Sequence, residues 1–414
     1  MTGRRVVLIL LCLIAFFVPW EEMLTTPEFG TAIFLVSSVA LAFAVLLVAW
    51  RFRIRRIHPV LVLLSFFVFW SVMSAMWSVD PQATQRKSLT YLSLLVLVWM
   101  IWEFVDSEMK FLWLLRSYIL GCCVTLGLLF VDYVSSRHAF AATDTRYTGG
   151  GLNQNAFALL LTIGIVIAAY LAIHPNSRFR VFYWVFIVPA SLGVLLTGSR
   201  TGAIALVVAL FVATALSLSR SLKAMLVLIA IVAGTVWLVP SVIPADLLSR
   251  VTEGTSAQTF VEREDQWKLG LELWHGTPFL GVGTGAFITA ALSDGGRGLM
   301  AHNAFVQLLA EDGLIGFGIM LLVWYLLARK AWKLPRHERL LWLGAGAAWL
   351  LGASMLSSEY YKITWLLYAW IMTQPAPVPQ APEESVSATA SRDAYTNLAG
   401  TQRATIGERQ ETGA

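Results

Sequence analysis

Apolar runs of membrane-crossing length recur along almost the whole chain and leave few folds open to it. A spanning helix needs about 20 mostly apolar residues, because a rise of about 1.5 Å per residue then matches a hydrocarbon core about 30 Å thick. Runs of this kind occupy 6–20, 31–50, 60–78, 89–105, 111–134, 155–173, 181–198, 203–219, 224–243, 313–328, 340–357 and 364–372. The first and last are short. Only 13% of the 414 residues are charged, against roughly 25% in a soluble domain. The predicted fold is therefore all-α: a polytopic membrane protein with about 12 transmembrane helices.

The placement of charge predicts an orientation. Arg4/Arg5, the cluster Arg51 to Arg56, Arg178/Arg180, Arg220/Lys223 and the segment Arg329 to Arg339 fall on one side of the alternating runs. The acidic turns Glu21-Glu22 and Ser357-Ser358-Glu359 fall on the other. Basic connectors face the cytoplasm, so both termini are expected there. The net charge of +5 is accounted for by these connectors and gives no reason to expect nucleic acid as a partner. Met1 to Arg5 and the apolar stretch after it resemble a secretory leader. Pro19-Trp20-Glu21-Glu22 follows in place of a small-residue cleavage site, so a retained first helix is expected. Cys12, Cys122 and Cys123 all lie inside apolar runs, where they suggest neither a disulfide framework nor a thiolate metal site.

Four regions follow. Residues 1–243 carry transmembrane helices 1–9, and 244–303 form one long periplasmic loop with an amphipathic helix. Residues 304–372 carry helices 10–12, and 373–414 form a disordered cytoplasmic tail that opens on Pro375, Pro377, Pro379 and Pro382 and is too polar to build a core. No internal repeat is visible, which disfavours transporters built from duplicated halves. A transporter would also carry paired ionisable groups near mid-membrane, and Arg116 reads as the only charge well inside an apolar run.

Candidate chemistry gathers at the outer connectors. Arg200 lies in Gly198-Ser199-Arg200-Thr201-Gly202 between two runs. It either snorkels at the interface or offers a planar guanidinium fork to a phosphate. Arg263 opens a helix in which Trp267, Leu271 and Trp274 share its face, so an anion role at headgroup depth competes with simple pairing to Glu262 or Asp265. Glu262, Glu264 and Asp265 read as a solvated first turn complementing the helix dipole rather than a metal site. Gly281-Val282-Gly283-Thr284-Gly285 lacks the strand–turn–helix context of a nucleotide loop and reads as a tight turn where backbone meets backbone or ligand. His302 precedes Asn303, a good N-cap for the helical run from Ala304. It is either a satisfied interfacial histidine or a base for an attacking hydroxyl.

In order and spacing, these pieces resemble the O-antigen ligase and polysaccharide polymerase superfamily, bacterial membrane glycosyltransferases that include exopolysaccharide polymerases. The matching segments are Trp77-Ser78-Val79-Asp80-Pro81, Gly198 to Gly202, Arg263-x-x-x-Trp267 and Pro278-Phe279-Leu280-Gly281-Val282-Gly283. His302-Asn303-Ala304-Phe305 follows, continuing to Glu311-Asp312-Gly313-Leu314-Ile315-Gly316. The resemblance implies a metal-independent enzyme without cofactors in the bacterial inner membrane, its active face periplasmic. Its donor would be an undecaprenyl diphosphate-linked glycan. Its acceptor would be another glycan, for a polymerase, or the lipid A core, for an O-antigen ligase. It also admits polysaccharide assembly proteins as partners. By motif, Arg200 and Arg263 would hold the diphosphate and His302 would be catalytic. Trp77 to Pro81 followed by Arg86 also resembles exopolysaccharide polymerases, which inclines the reading towards a polymerase of surface polysaccharide, and the compact outer loop disfavours the larger protein-glycosylating relatives. A ligase is the close alternative, and a transporter of polysaccharide or lipid-linked sugar is the alternative from another class.

Overall fold

The computed structural model describes residues 2–26, 30–51, 55–135, 146–148, 153–175, 177–252, 257–293, 295 and 298–374. Contacts divide the chain into Met1–Pro375 and Ala376–Ala414. The expected tail, beyond Gln374, lies outside the described residues.

Helices follow one another with short connections. They are α1 (Thr2–Phe17, extended by a tight 3-10 turn Val18–Leu24), α2 (Ala32–Arg51), α3 (Pro59–Met73), α4 (Pro81–Phe104), α5 (Glu108–Val134), α6 (Gln154–Ile173), α7 (Arg180–Leu196), α8 (Arg200–Arg220) and α9 (Leu222–Val242). Then come α10 (Ala245–Thr252), α11 (Ala257–Gly276), α12 (Phe287–Ser293), α13 (Ala304–Trp332), α14 (Arg336–Ala353) and α15 (Lys362–Thr373). The only strands among the described residues are β1 (Thr25–Thr26) and β2 (Gly30–Thr31), an antiparallel pair before α2.

Eight helices among the described residues are long and apolar enough to cross a membrane: α1, α3, α4, α5, α6, α8, α9 and α13. The chain is a multi-pass membrane protein. Of the other expected crossings, α7 is apolar but spans 17 residues and α15 only 12. At 1.5 Å per residue, α15 is about 18 Å long, well short of a hydrocarbon core. α14 opens on Arg336-His337-Glu338-Arg339, which dilutes its apolar character.

α6 occupies the centre. Every residue from Ala156 to Ile173 is buried, as expected of a helix apolar on all sides. It packs against α7, α8 and α14. Gly202 is what lets α8 approach it so closely, since a Cβ there would lie 2.5 Å from the Ala158 Cβ.

Long-range contacts sort the helix ends into two groups. At one end Arg4 bonds the Glu103 carbonyl at 2.7 Å, Arg55 bonds the Trp102 carbonyl at 2.8 Å, and Trp342 bonds Gln374 at 3.0 Å. The start of α1 and the end of α15 therefore share this end. At the other, Tyr133 closing α5 donates to the Val242 carbonyl closing α9, and Lys362 opening α15 pairs with Glu21 after α1. The starts of α4, α6, α8 and α13 also lie at this second end. Each of these four starts on a side-chain cap: Asp80, Asn153, Ser199 and Asn303 accept from backbone N–H groups of their own first turns. Four helix N-termini, with their partial positive charge, thus point to one end of the bundle.

Candidate functional site

The second end is organised by a break in α13. Gly313 has φ +63° and ψ −170°, which interrupts the helix and turns backbone groups of its first half outward. Segment 277–285 fills the break. Val282 N–H donates to the Ala310 carbonyl at 2.9 Å, Gly283 N–H to the Glu311 carbonyl at 3.0 Å, and Leu314 N–H to the Pro278 carbonyl at 2.9 Å. The expected backbone-on-backbone role of Gly281 to Gly285 is borne out: a Cβ on Gly281 would lie 2.3 Å from the Glu311 carbonyl oxygen, at φ +73°.

Trp77 to Pro81 docks on the far side of the same segment. Trp77 Nε1 donates to the Leu280 carbonyl at 3.2 Å, Val79 N–H to the Val282 carbonyl at 3.1 Å, and Thr289 Oγ1 to Asp80 Oδ2 at 2.7 Å. Asp80 caps α4 through Ala83 N–H at 2.9 Å. Three of the sequence motifs therefore form one interlocked layer, a scaffold on which α11 and the start of α13 rest.

Arg263 projects from the first half of α11, half-buried beside this layer. Its Nη1 reaches the Met355 thioether at 3.4 Å, a weak acceptor. Among the described residues no carboxylate pairs with it. Burial, and then the positive charge of Arg146, lower its pKa, though guanidinium remains protonated. The Arg146 side chain lies over Gly198, its Cγ 3.2 Å from where a Cβ would stand. Two residues on is Arg200, the first residue of α8, partly exposed. Its turn is fixed by Ser199, whose hydroxyl caps Gly202 N–H at 3.0 Å and contacts Asn155 Oδ1 at 2.7 Å.

His302 lies within electrostatic reach of Arg263, in the turn before α13. Asn303 caps the helix as expected, accepting from Phe305 N–H at 3.0 Å and Val306 N–H at 3.2 Å. His302 has φ +50°, the only non-glycine residue with a positive φ among those described. That conformation costs an L-residue about 1–2 kcal/mol. Burial, and then the charge of Arg263, hold its imidazole below the ordinary histidine value. It is therefore neutral, and able to accept a proton, at neutral pH.

The electrostatic neighbours thus run from His302 to Arg263 to Arg146, and Arg146 rests on the turn that carries Arg200. All lie at one end of the bundle. Arg146 was not among the expected site residues; it sits in a polar connector with no motif around it.

α11 buries Gln266, Gly270 and Leu273, while the face of Trp267, Leu271 and Trp274, expected on the membrane interface or the helix bundle, stays partly exposed, Leu271 at 39%. The buried seam is rotated by roughly a quarter-turn, because Gly270 lets α11 close on Val306 of α13. A further charge sits in the first two turns of α4, before the apolar run of 89–105 begins. Lys87 on α4 is clamped between Glu311 of α13 at 2.7 Å and Glu359 at 2.8 Å, and both carboxylates are buried. Glu359 is therefore a buried partner and not a surface marker of topology. The cluster lies near the N-terminal ends of α4 and α13, towards the site end. Among the described residues no group of His, Cys, Asp and Glu is arranged to hold a metal ion. Glu264 is partly exposed and pairs with Lys268 at 2.8 Å.

No curated protein matches the chain. Residues 185–321, running from within α7 through Arg200, Arg263 and His302 to the middle of α13, match the family model for O-antigen ligase. Over that third of the chain, a stretch of a multi-pass helical bundle, the protein is similar to the O-antigen ligase family.

Proposed function

We propose that the protein is a membrane glycosyltransferase of surface polysaccharide synthesis that takes its glycan from undecaprenyl diphosphate at the periplasmic face. The observation that carries this reading is the half-buried Arg263 within electrostatic reach of the His302 imidazole and of Arg146, which rests on the turn that carries Arg200, in a chain whose residues 185–321 carry the O-antigen ligase signature. Two cations held close repel one another, and a bridging dianion relieves that cost. The basic connectors gather at the opposite end, which favours twelve crossings with both termini cytoplasmic and the site periplasmic.

In this reading Arg200 and Arg263 bind the diphosphate. The acceptor hydroxyl, deprotonated by His302, attacks the anomeric carbon. The carbon–oxygen bond to phosphate breaks, undecaprenyl diphosphate leaves with the bonding electrons, and the hydroxyl proton stays on the imidazole. Each preorganised guanidinium contributes about 2.7–4 kcal/mol where charge develops on the leaving group. The base contributes roughly 10²–10⁴ in rate. No step calls on a metal.

Arg86 after the Trp77 to Pro81 motif inclines the reading towards a polymerase, with another lipid-linked repeat unit as acceptor. The family match favours the ligase reading, with lipid A core as acceptor. A deletion strain separates them. Loss of exopolysaccharide with normal lipopolysaccharide supports the polymerase, and accumulation of long lipid-linked chains supports the ligase. Complementation with Arg200→Ala, Arg263→Ala or His302→Ala is expected to give inserted protein and no polymer. Wild-type glycan output from all three variants contradicts the assignment.

A further inference from the structure

The turn that carries His302 is bracketed by polar side chains of the helix that follows it. On one side Asn303 caps α13. On the other, Ala301 N–H donates to Gln307 Oε1 at 3.0 Å, and the Ser357 hydroxyl donates to the same oxygen at 3.0 Å. The Gln307 amide nitrogen in turn bonds Glu311 Oε1. Glu311 Oε2 takes the Gly285 N–H at 2.7 Å and the Lys87 ammonium at 2.7 Å, and Lys87 reaches on to Glu359. Gln307, Glu311, Glu359 and Ser357 are all buried, each at most 3% exposed.

Such a chain fixes a direction. A glutamine amide presents its oxygen to Ala301 only if its nitrogen has an acceptor behind it, and Glu311 is that acceptor. Glu311 is held still by the Lys87 ammonium and the Gly285 backbone N–H, both of which donate to it. Reversing the amide would set its oxygen against a carboxylate and its NH₂ against the Ala301 N–H. The strained backbone of His302 therefore rests on a side chain whose orientation is set by an ion cluster on α4, α13 and the turn before α15. Lys87, Ser357 and Glu359 lie outside the segment that matches the family.

We propose that Gln307 is a positioning residue for His302, and that the Lys87–Glu311–Glu359 cluster serves to hold Gln307 in the one amide orientation that clamps Ala301. This rests on the reading of His302 as the base that takes the acceptor's proton. The asparagine, glutamine and glutamate at 303, 307 and 311 form a stripe at four-residue spacing on an otherwise apolar helix.

The test uses the full chain in proteoliposomes with a lipid-linked glycan donor. Gln307→Met keeps the volume and loses all three hydrogen bonds. Its kcat is expected to fall about 100-fold, the cost of a displacement of about 1 Å at a reacting group, with KM for the donor within threefold of wild type. Combining Gln307→Glu with Glu311→Gln swaps amide and carboxylate. It restores the internal bond, the acceptor for Ala301 and the total charge, and is expected to return kcat to within tenfold of wild type. Wild-type kcat in Gln307→Met overturns the inference. Should that variant fail to insert, the swap decides: donor binding with turnover no better than His302→Ala overturns it. Activity in His302→Ala itself instead removes the underlying reading, and the inference with it.

Discussion

His302 is held by three separate influences: a positive φ, a half-buried position and a neighbouring guanidinium. The last two both oppose the imidazolium, so the basic form persists to lower pH than for an ordinary histidine of pKa about 6.5. Turnover is therefore predicted to fall, as pH drops, with an acid-limb midpoint below 6.5 in a kcat profile measured in proteoliposomes; a midpoint at or above it contradicts this environment. The same sign holds for stability. The unfolded chain binds the proton more readily, so the contribution of His302 weakens as pH falls through about 6.5 towards its lowered folded value. At this scale a surrounding motif singled out Arg200, Arg263 and His302 in the sequence, and the structure sets all three at one end of the bundle. Lys87 was not singled out. It is a single cation in an apolar helix whose two acids lie 224 and 272 residues away, and no local pattern marks such a pairing. The stripe of Asn303, Gln307 and Glu311 was legible in principle, as polar residues recurring on one face.

Elements meet at this site through glycine, and the loop from Thr277 to Gly285 depends on that more than any other. Gly281 and Gly313 face one another across the break in α13. A Cβ on either would stand 2.3 Å from a carbonyl oxygen, of Glu311 or Phe279, and both glycines hold positive φ. Gly281→Ala and Gly313→Ala are predicted to lower the thermal midpoint of the purified protein and to reduce turnover. The backbone conformation alone costs about 1–2 kcal/mol, and the clash adds to it. Gly318→Ala is the control, since a Cβ there meets nothing within 4 Å and removing a helical glycine is favourable by roughly 0.5–1 kcal/mol. Equal midpoints for all three variants contradict the interlocked layer. The glycine run itself was readable as a tight turn. The buried face of α11 was not, because it is created by the close approach of Gly270 to Val306, and that approach is a property of the partner helix.

Across the whole molecule, hydropathy identified membrane-crossing helices without distinguishing their surroundings. α6 has the same apolar character as its neighbours yet lies wholly inside the bundle. Its surroundings are set by contacts with α7, α8 and α14, which no single run encodes. The proposed orientation is checked by accessibility. In a variant with Cys12, Cys122 and Cys123 replaced, Ser293→Cys in α12 is predicted to react with an impermeant maleimide from the periplasmic side. Ser221→Cys, between α8 and α9, is predicted to react only after the membrane is opened. The reverse pattern places the site in the cytoplasm and removes the lipid-linked donor reading.

The most direct measurement is binding of undecaprenyl diphosphate to the purified protein in nanodiscs. Arg200→Ala and Arg263→Ala are predicted to weaken it by about 10- to 100-fold, as loss of a charge-assisted contact implies. His302→Ala is predicted to bind as the wild type does while transferring no glycan. Equal affinity in all four proteins would mean that the guanidinium groups gathered at this end of the bundle hold something other than a diphosphate.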